Sequence, residues 1–345
     1  MPSVLVNLVG GTDARARTTF SEGLVEVLHG KEQEQISPLR TLDEGVTGYQ
    51  FELVALRSTL RKEHNQDPLD DDPEETEKLK NLLKASLGPL PTGKLRVTYG
   101  SSSPHEILNF IRDVGVDLFD VHWAQHAAEI GVALDFRFPA PNPSEVLWAQ
   151  HPCPKPRSRT SHTIDVGHNL FSHDYAHDHS RLASSFLDGS CHSQLSATTN
   201  VDAPWCPCGA CTPVPFTTSL THDRLTQPPG KPTSTLPPYT RSYIHHLLHT
   251  HEMSSHTLLA MHNFFIMDAF FSGIRDVLHR SQTEAGLFER EVERFVATYE
   301  DPRRLFTETE KDWAKVESER GKGRLAREKA AQEESEAVVQ DVEVV

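Results

Sequence analysis

The sequence predicts an α/β fold in which about four βα units form a parallel sheet and a helical region after them holds a metal ion. Strand-like hydrophobic runs alternate with helix-like segments through the first third of the chain, and such alternation is typical of parallel sheets. Three of the five cysteines lie close together, at Cys206, Cys208 and Cys211. Apolar residues then recur at helical spacing after Tyr239.

The first two units lie in the first fifty or so residues. Residues 3–9 predict a buried strand, which Gly10 and Gly11 end, and Asp13 then opens an amphipathic helix. The paired glycines are also a weak candidate for a phosphate loop, although a simple turn is the stronger interpretation. A second strand is predicted over residues 46–51.

The third and fourth units carry clearer boundaries. A strand is predicted over residues 95–99, and the run from Ser103 through Pro104 to Glu106 is a capping box that opens a helix. Gly115 ends this helix, and residues 116–121 predict the fourth buried strand. Four strands in series indicate a parallel sheet, open or part of a barrel, but they cannot close a (β/α)8 barrel alone.

Composition places limits on the class of protein. The chain has 345 residues, 37% of them hydrophobic, a mean hydropathy of -0.47 and a formal charge of -15. No apolar run approaches the roughly 20 residues of a membrane span, and the amino terminus does not resemble a signal peptide. We therefore expect a soluble, cytoplasmic protein. The acidic balance disfavours unaided nucleic-acid binding, because binding a polyanion requires a positive face.

We expect four regions along the chain. Residues 1–150 form the βα part, with an acidic, solvated insert at about 62–80. Residues 151–203 are a low-complexity, histidine-rich insert, and residues 204–300 form the metal-binding subdomain with a proline-rich insert at 212–238. Residues 301–345 are a charged helical or disordered tail.

The cysteine cluster predicts a zinc site. Spacings of one and two residues let all three sulfurs face one point, and three thiolates with one imidazole form a closed tetrahedral set. Chain spacing does not choose the fourth ligand among His245, His246, His249, His251, His256 and His262. His251 and His256 resemble a metalloprotease pair, but they lie five apart and do not share a helix face. The histidines of residues 173–179 are interpreted as a loop that can at most bind metal adventitiously.

Asp117 and Asp120 are the candidate catalytic carboxylates. They lie three apart on one predicted strand, so their side chains point to opposite faces and only one can face a pocket. A carboxylate at the carboxyl end of a barrel strand can be a catalytic nucleophile. A strand-end cap is the equally weighted alternative.

These motifs together resemble a known family. The cysteine run, the segment Tyr239–Leu247 and Met261-His262-Asn263 resemble the zinc region of the queuine tRNA-ribosyltransferase (tRNA-guanine transglycosylase) family. Residues 115–120 resemble its last barrel strand. Residues 131–136, 141–143 and 244–248 are similar to its eukaryotic accessory branch.

The resemblance implies a fold and a set of ligands. The fold is the carboxyl-terminal part of a (β/α)8 barrel with a zinc-binding helical subdomain, and residues 3–9 correspond to the fifth strand. The metal ligands are Cys206, Cys208, Cys211 and His262, which bind one Zn²⁺ per subunit and help to build a dimer surface. The catalytic subunit is the expected partner, and it exchanges guanine for queuine at the wobble position of tRNAs with GUN anticodons.

Departures from the family pattern predict that the chain is not catalytic. Asp120 lies at the nucleophile position, but Trp123-Ala124-Gln125 replaces the Pro-Thr-Arg motif of active enzymes. Residues 50–53 lack the glycines of the base pocket. The first half of the barrel has no counterpart before Met1, so we expect an amino-terminally truncated form.

We therefore expect a non-catalytic accessory subunit that contacts tRNA through the complex. Peripheral association with the cytosolic face of the mitochondrial outer membrane is a further expectation. The alternatives are an active transglycosylase that uses Asp120 and an unrelated zinc-stabilised interaction module.

Overall fold

The first half of the chain contains a four-stranded parallel sheet. The computed structural model describes residues 4–63, 73–141, 163–183, 206, 208–211 and 238–319. The sheet has the order β1-β2-β3-β4, and all three pairings are parallel. Its elements, with the helices between them, are β1 (Leu5–Asn7), α1 (Ala14–Val25), α2 (Lys31–Ile36), β2 (Gly48–Glu52), α3 (Leu53–Glu63), α4 (Pro73–Leu87), β3 (Leu95–Tyr99), α5 (Pro104–Asp113), β4 (Leu118–Phe119) and α6 (His122–Glu129).

The predicted helix starts are confirmed. Asp13 caps α1 by accepting hydrogen bonds from the amides of Arg15 and Ala16, and Ser103 caps α5 by accepting one from the amide of Glu106. The second half of the predicted capping box differs, because the Glu106 carboxylate accepts from the amide of Ser102 at 2.7 Å. The first and fourth strands are shorter than predicted. The first, expected to be buried, has exposed or half-buried residues throughout, whereas Val116 before the fourth is buried.

The expectation of a solvated acidic segment at 62–80 is wrong for its second part. Residues 73–87 form α4, whose Leu79 and Leu83 are fully buried beneath the sheet. Glu75 is also buried, and it forms ion pairs with Arg57 and Arg61 of α3. The many charged residues of this segment obscured its amphipathic pattern in the sequence. The buried carboxylate of Glu75 is neutralised by arginines of another helix, and the local sequence does not reveal this pairing. Residues 64–72 lie outside the described residues.

The second half of the chain is mainly helical and begins with a small antiparallel ribbon. Its elements are β5 (Val132–Leu134), β6 (Gly167–Asn169), α7 (Arg241–His249), α8 (Ser254–Ser281), α9 (Leu287–Thr298) and α10 (Arg303–Glu319). An aromatic core forms between β5, α8 and α9, in which Phe136 contacts Phe270, Phe295 and Tyr299. His105 of α5 donates from Nε2 to the carbonyl of Tyr299 at 2.9 Å, which links the two halves.

The interpretation of residues 151–203 as a low-complexity insert is wrong for residues 163–183. This segment contains β6 and a short 3-10 helix, and Leu170, Phe171 and Leu182 are buried in it. This segment is ordered because β6 pairs with β5. A strand of three residues is too short for its hydrophobic periodicity to predict such a pairing. The rest of the insert, and residues 212–237 and 320–345, lie outside the described residues.

α8 organises the second half. By length and composition alone it could cross a membrane, contrary to the expectation from sequence. In this fold one of its faces is buried against α6, β5 and α9. Met261 and Phe264 on its opposite face are 43% and 40% exposed.

Candidate metal centre

The four predicted ligands converge on one buried point. The Sγ atoms of Cys206, Cys208 and Cys211 lie 3.7, 3.7 and 3.5 Å from Nδ1 of His262. All four side chains are buried, and their candidate ligand atoms lie within 4.8 Å of one another. The tight turn of Cys208–Cys211 and the long helix α8 bring these atoms together.

The distances fit a tetrahedral zinc ion. With Zn–S near 2.3 Å and Zn–N near 2.0–2.1 Å, tetrahedral angles place sulfur and nitrogen roughly 3.6 Å apart. The observed separations of 3.5 to 3.7 Å match that value. Three thiolates and one imidazole leave no coordination position open, which is typical of a structural site.

Hydrogen bonds orient His262 as a ligand. Its Nε2 donates to the carbonyl of Leu134 at 2.9 Å, which leaves the lone pair on Nδ1 for a metal. The next residue, Asn263, accepts from the amide of Leu134 and donates to the carbonyls of Ala124 and Val132. These bonds hold α8 against β5 and α6, so the site joins three elements.

The electrostatics of the cluster favour a bound cation. Hydrogen bonds among the cysteines lower the pKa of Cys208 and raise the pKa of Cys211, because neighbouring thiolates cannot all ionise at such short range. Burial lowers the pKa of His262, but the sulfur partners outweigh it and raise that pKa to about 9. A divalent ion would remove the repulsion among thiolates, so donor set and charge both fit zinc.

The other candidate histidines make different contacts. His251 contacts Glu317, and His256 contacts the carbonyl of Ala128. His245 and His249 contact the backbone before the 3-10 helix, and His246 is exposed on α7. Only His262 joins the cysteines among the residues that the structure describes.

A buried ion network beside the centre was missed by sequence reasoning. Arg241 is 2% exposed and pairs with Asp178 at 3.3 Å and with Asp135 at 3.5 Å. Asp135 also accepts from Nε2 of His168 at 2.8 Å. The network fixes the start of α7 against residues 167–182. Its members are far apart in sequence, so no motif could have indicated it.

Asp117 and Asp120 both act as backbone caps. The carboxylate of Asp117 accepts from the amide of Arg96 at 2.8 Å, near the start of β3. The carboxylate of Asp120 accepts from the amide of Gly100 at 2.9 Å, directly after β3. Both carboxylates therefore contact the backbone of β3, one near its start and one just after its end, which corrects the expectation that they point to opposite faces of the sheet.

Comparison with known proteins defines the class. The protein-family model described as "Queuine tRNA-ribosyltransferase" matches residues 72–301, which is more than half of the chain. The chain therefore belongs to the queuine tRNA-ribosyltransferase family, and an unrelated zinc module is excluded.

The similar curated proteins are accessory subunits. The chain is 29% identical over 198 residues to "Queuine tRNA-ribosyltransferase accessory subunit 2" of Homo sapiens and to that of Pongo abelii, matching 57% of this chain and 40% of each relative. It is 26% identical over 243 residues to the Caenorhabditis elegans protein of the same name, matching 70% of this chain and 44% of the relative. The chain thus spans less than half the length of these curated relatives.

Proposed function

We propose that this chain acts as a non-catalytic, zinc-stabilised accessory subunit of a heterodimeric queuine tRNA-ribosyltransferase. In this role it supports the exchange of guanine for queuine at the wobble position of tRNAs with GUN anticodons, while the catalytic partner carries out the chemistry. Its relatives bear the accessory-subunit name, and its βα half would form part of a (β/α)8 barrel. The acidic charge of -15 suits contact with tRNA through the complex rather than alone.

The observation that carries this proposal is the direct junction between β2 and α3. β2 ends at Glu52 and α3 begins at Leu53, whose side chain is fully buried. The family resemblance assigns the glycine-rich base pocket to this junction. With no connecting loop, the backbone has no segment that could surround a purine, and apolar side chains cannot replace its hydrogen bonds.

The residues after β4 support the same conclusion. Trp123 lies where active family members carry the Pro-Thr-Arg motif, and it is 4% exposed in the core. Its ring stacks on Phe306 of α10 with centroids 5.5 Å apart. The carboxylate of Asp120 is used on a backbone amide. These positions therefore contribute to packing and capping rather than to a substrate pocket.

The exposed face of α8 is the proposed contact with the catalytic subunit. Met261 and Phe264 flank the ligand His262 and its neighbour Asn263, and both side chains are apolar and about two-fifths exposed. In this proposal the zinc holds α8 in place, so that its outer face can bind the partner. The complex is proposed to be cytoplasmic, with peripheral association at the mitochondrial outer membrane.

Co-purification with the catalytic subunit of the same organism tests the proposal. We expect a stable heterodimer that exchanges guanine in tRNA, and loss of the complex in the double variant Met261→Glu/Phe264→Glu. Val296→Glu on α9 is the matched control, because Val296 is an exposed apolar residue at 46% on another helix. Absence of any complex with the wild-type chain would contradict the proposal.

An active transglycosylase is the second candidate, and one observation favours it. Oδ1 of Asp120 is buried and has no hydrogen-bond partner in the described part of the chain, which leaves this oxygen free to act as a nucleophile when substrate binds. Incubation of the isolated chain with tRNA and denaturing electrophoresis would decide. A covalent tRNA adduct that Asp120→Ala abolishes would establish this alternative and overturn the non-catalytic assignment.

A further inference from the structure

We propose that His173, His245 and His249 form a second metal site, which binds a divalent first-row transition-metal ion independently of the cysteine centre. The ring centroids of His245 and His249 are 4.2 Å apart. The ring of His173 lies 6.0 Å from His245 and 5.8 Å from His249. Three imidazoles thus meet at one place on the surface, and this site does not depend on the proposed function.

Two elements bring the three rings together. His245 and His249 are four residues apart on α7, which is the helical spacing that places two histidines on one face for zinc binding. His173 begins the 3-10 helix His173–Tyr175, which Ser172 caps. Two imidazoles bound to one tetrahedral zinc have ring centroids roughly 5 Å apart. The observed distances lie on both sides of that value, so in this proposal the side chains rotate when the ion binds and bring their free nitrogens to it.

The hydrogen bonds of α7 leave one ligand nitrogen on each helical histidine. Nδ1 of His245 lies 2.8 Å from the carbonyl of Leu170, and Nε2 of His249 lies 3.1 Å from the carbonyl of Phe171. A carbonyl only accepts, so these ring nitrogens carry the protons. The lone pairs are therefore on Nε2 of His245 and Nδ1 of His249. A histidine ligand typically donates its other ring N–H to a backbone carbonyl in this way.

The charge state of the cluster also suits a metal. Burial, followed by the nearby histidines including His249 and His173, lowers the pKa of His245. The ring is consequently neutral at physiological pH, which is the form that binds a metal ion. If all three rings were protonated, three positive charges would repel one another at short range. One divalent ion bound to three neutral rings avoids this repulsion.

The surroundings indicate which ions the site would take. Imidazole ligands suit Zn²⁺, Cu²⁺ and Ni²⁺. His245 is 8% exposed and forms the floor, while His173 is exposed at the rim. Three protein ligands leave a fourth position, which water can occupy from the solvent side.

Zinc binding by the full chain tests the inference. The protein, with zinc already bound at the cysteine centre, is equilibrated by dialysis against buffered free Zn²⁺, and bound zinc is measured by elemental analysis. We expect wild type to bind one more ion per chain than His173→Ala or His249→Ala, with the affinity for that ion at least about tenfold weaker in each variant. His246→Ala is the matched control, because His246 is exposed on the same helix and takes no part in the ring contacts that join the three histidines.

His173→Ala is the decisive variant, since an exposed residue on a short turn can be replaced without unfolding the protein. Equal zinc content in wild type and His173→Ala would overturn the proposal, and so would an equal loss in His246→Ala. Cys208→Ser should retain the histidine-bound ion when it is measured below the unfolding temperature of that variant, because Cys208 shares a hydrophobic core with the residues beside the three histidines. Loss of both ions in Cys208→Ser with intact folding would show that the sites are not independent and would also overturn it.

Discussion

At the residue scale, the cysteine centre depends on which nitrogen His262 presents. The Leu134 carbonyl fixes the proton on Nε2, and Nδ1 then lies 3.5 to 3.7 Å from all three sulfurs. His262 has no exposed surface, so a substitute cannot recruit water as a ligand without opening the core. Each of the four side chains is therefore required for a closed site.

Removing one ligand should remove the metal. We expect about one zinc per chain in wild type and nearly none in Cys208→Ser or His262→Ala, because three-ligand remnants of a closed site bind weakly. Elemental analysis after dialysis against a mild chelator measures this. His246→Ala should keep the zinc of the cysteine centre, and zinc that persists in His262→Ala at the wild-type level would refute the assignment of His262.

At the scale of elements, close contacts with neighbouring segments decide how α8 and α5 pack. Gly273 of α8 lies against the chain at Phe138, where an added Cβ would be 1.7 Å from the Phe138 carbonyl oxygen. In α5, Glu106 is 2% exposed and holds Arg57 of α3 together with the amide of Ser102. Helix propensity predicts neither the close approach at Gly273 nor the ion pair of Glu106, because both depend on residues of neighbouring elements.

Gly273→Ala should destabilise the protein although alanine favours helices. The propensity gain is about 1 kcal/mol, whereas forcing α8 away from Phe138 should cost about 2–3 kcal/mol or more. Denaturant unfolding measures the difference. Gly23→Ala in α1 is the matched control, because no atom lies within 4 Å of its added Cβ. It should stabilise the protein by about 0.5–1 kcal/mol, and equal effects of the two variants would contradict the packing argument.

Glu106→Ala should lower the free energy of unfolding by about 3–5 kcal/mol, because it leaves the Arg57 guanidinium partly unpaired in a buried site. Arg57 retains Glu75 at 3.5 Å, which would place the loss at the lower end. Glu129→Ala, at an exposed position of α6, should change stability by less than about 0.5 kcal/mol. A similar small change in Glu106→Ala would show that the ion pair contributes little.

At the scale of the whole molecule, the metal centre joins parts of the chain that are far apart in sequence. Cys206–Cys211, β5 and α8 meet at His262 and Asn263, and the buried Arg241 network holds α7 beside them. The parallel sheet lies outside this group and has its own hydrophobic core. Loss of the metal should therefore loosen the second half first.

Chelation should lower the thermal midpoint of unfolding by about 10 °C or more, because structural zinc contributes directly to folding. Acid should have the same effect. Thiolates and neutral imidazole are the binding forms, so zinc affinity falls as pH falls and protons return to the ligands. Calorimetry with and without chelator measures the shift. An unchanged midpoint after complete zinc removal would refute a structural role.

The sequence by itself determined the local features of this protein. Local patterns predicted the positions of the four parallel strands, the caps at Asp13 and Ser103, the long helix α8 and the cysteine knuckle, because all of these depend on nearby residues. The choice of His262 came from family resemblance, because six histidines had acceptable spacing. The tertiary structure brought His262 to the three sulfurs.

Only the tertiary structure decided the features built from distant residues. It brought the buried Glu75 to Arg57 and paired β6 with β5. It also assembled the Arg241 network and brought His173 beside His245 and His249. It further showed which face of the long apolar helix α8 is buried against its neighbours. The physical reason is common to all of them. Burial and charge pairing depend on which segments pack together in the tertiary structure, and local periodicity does not predict contacts between distant segments.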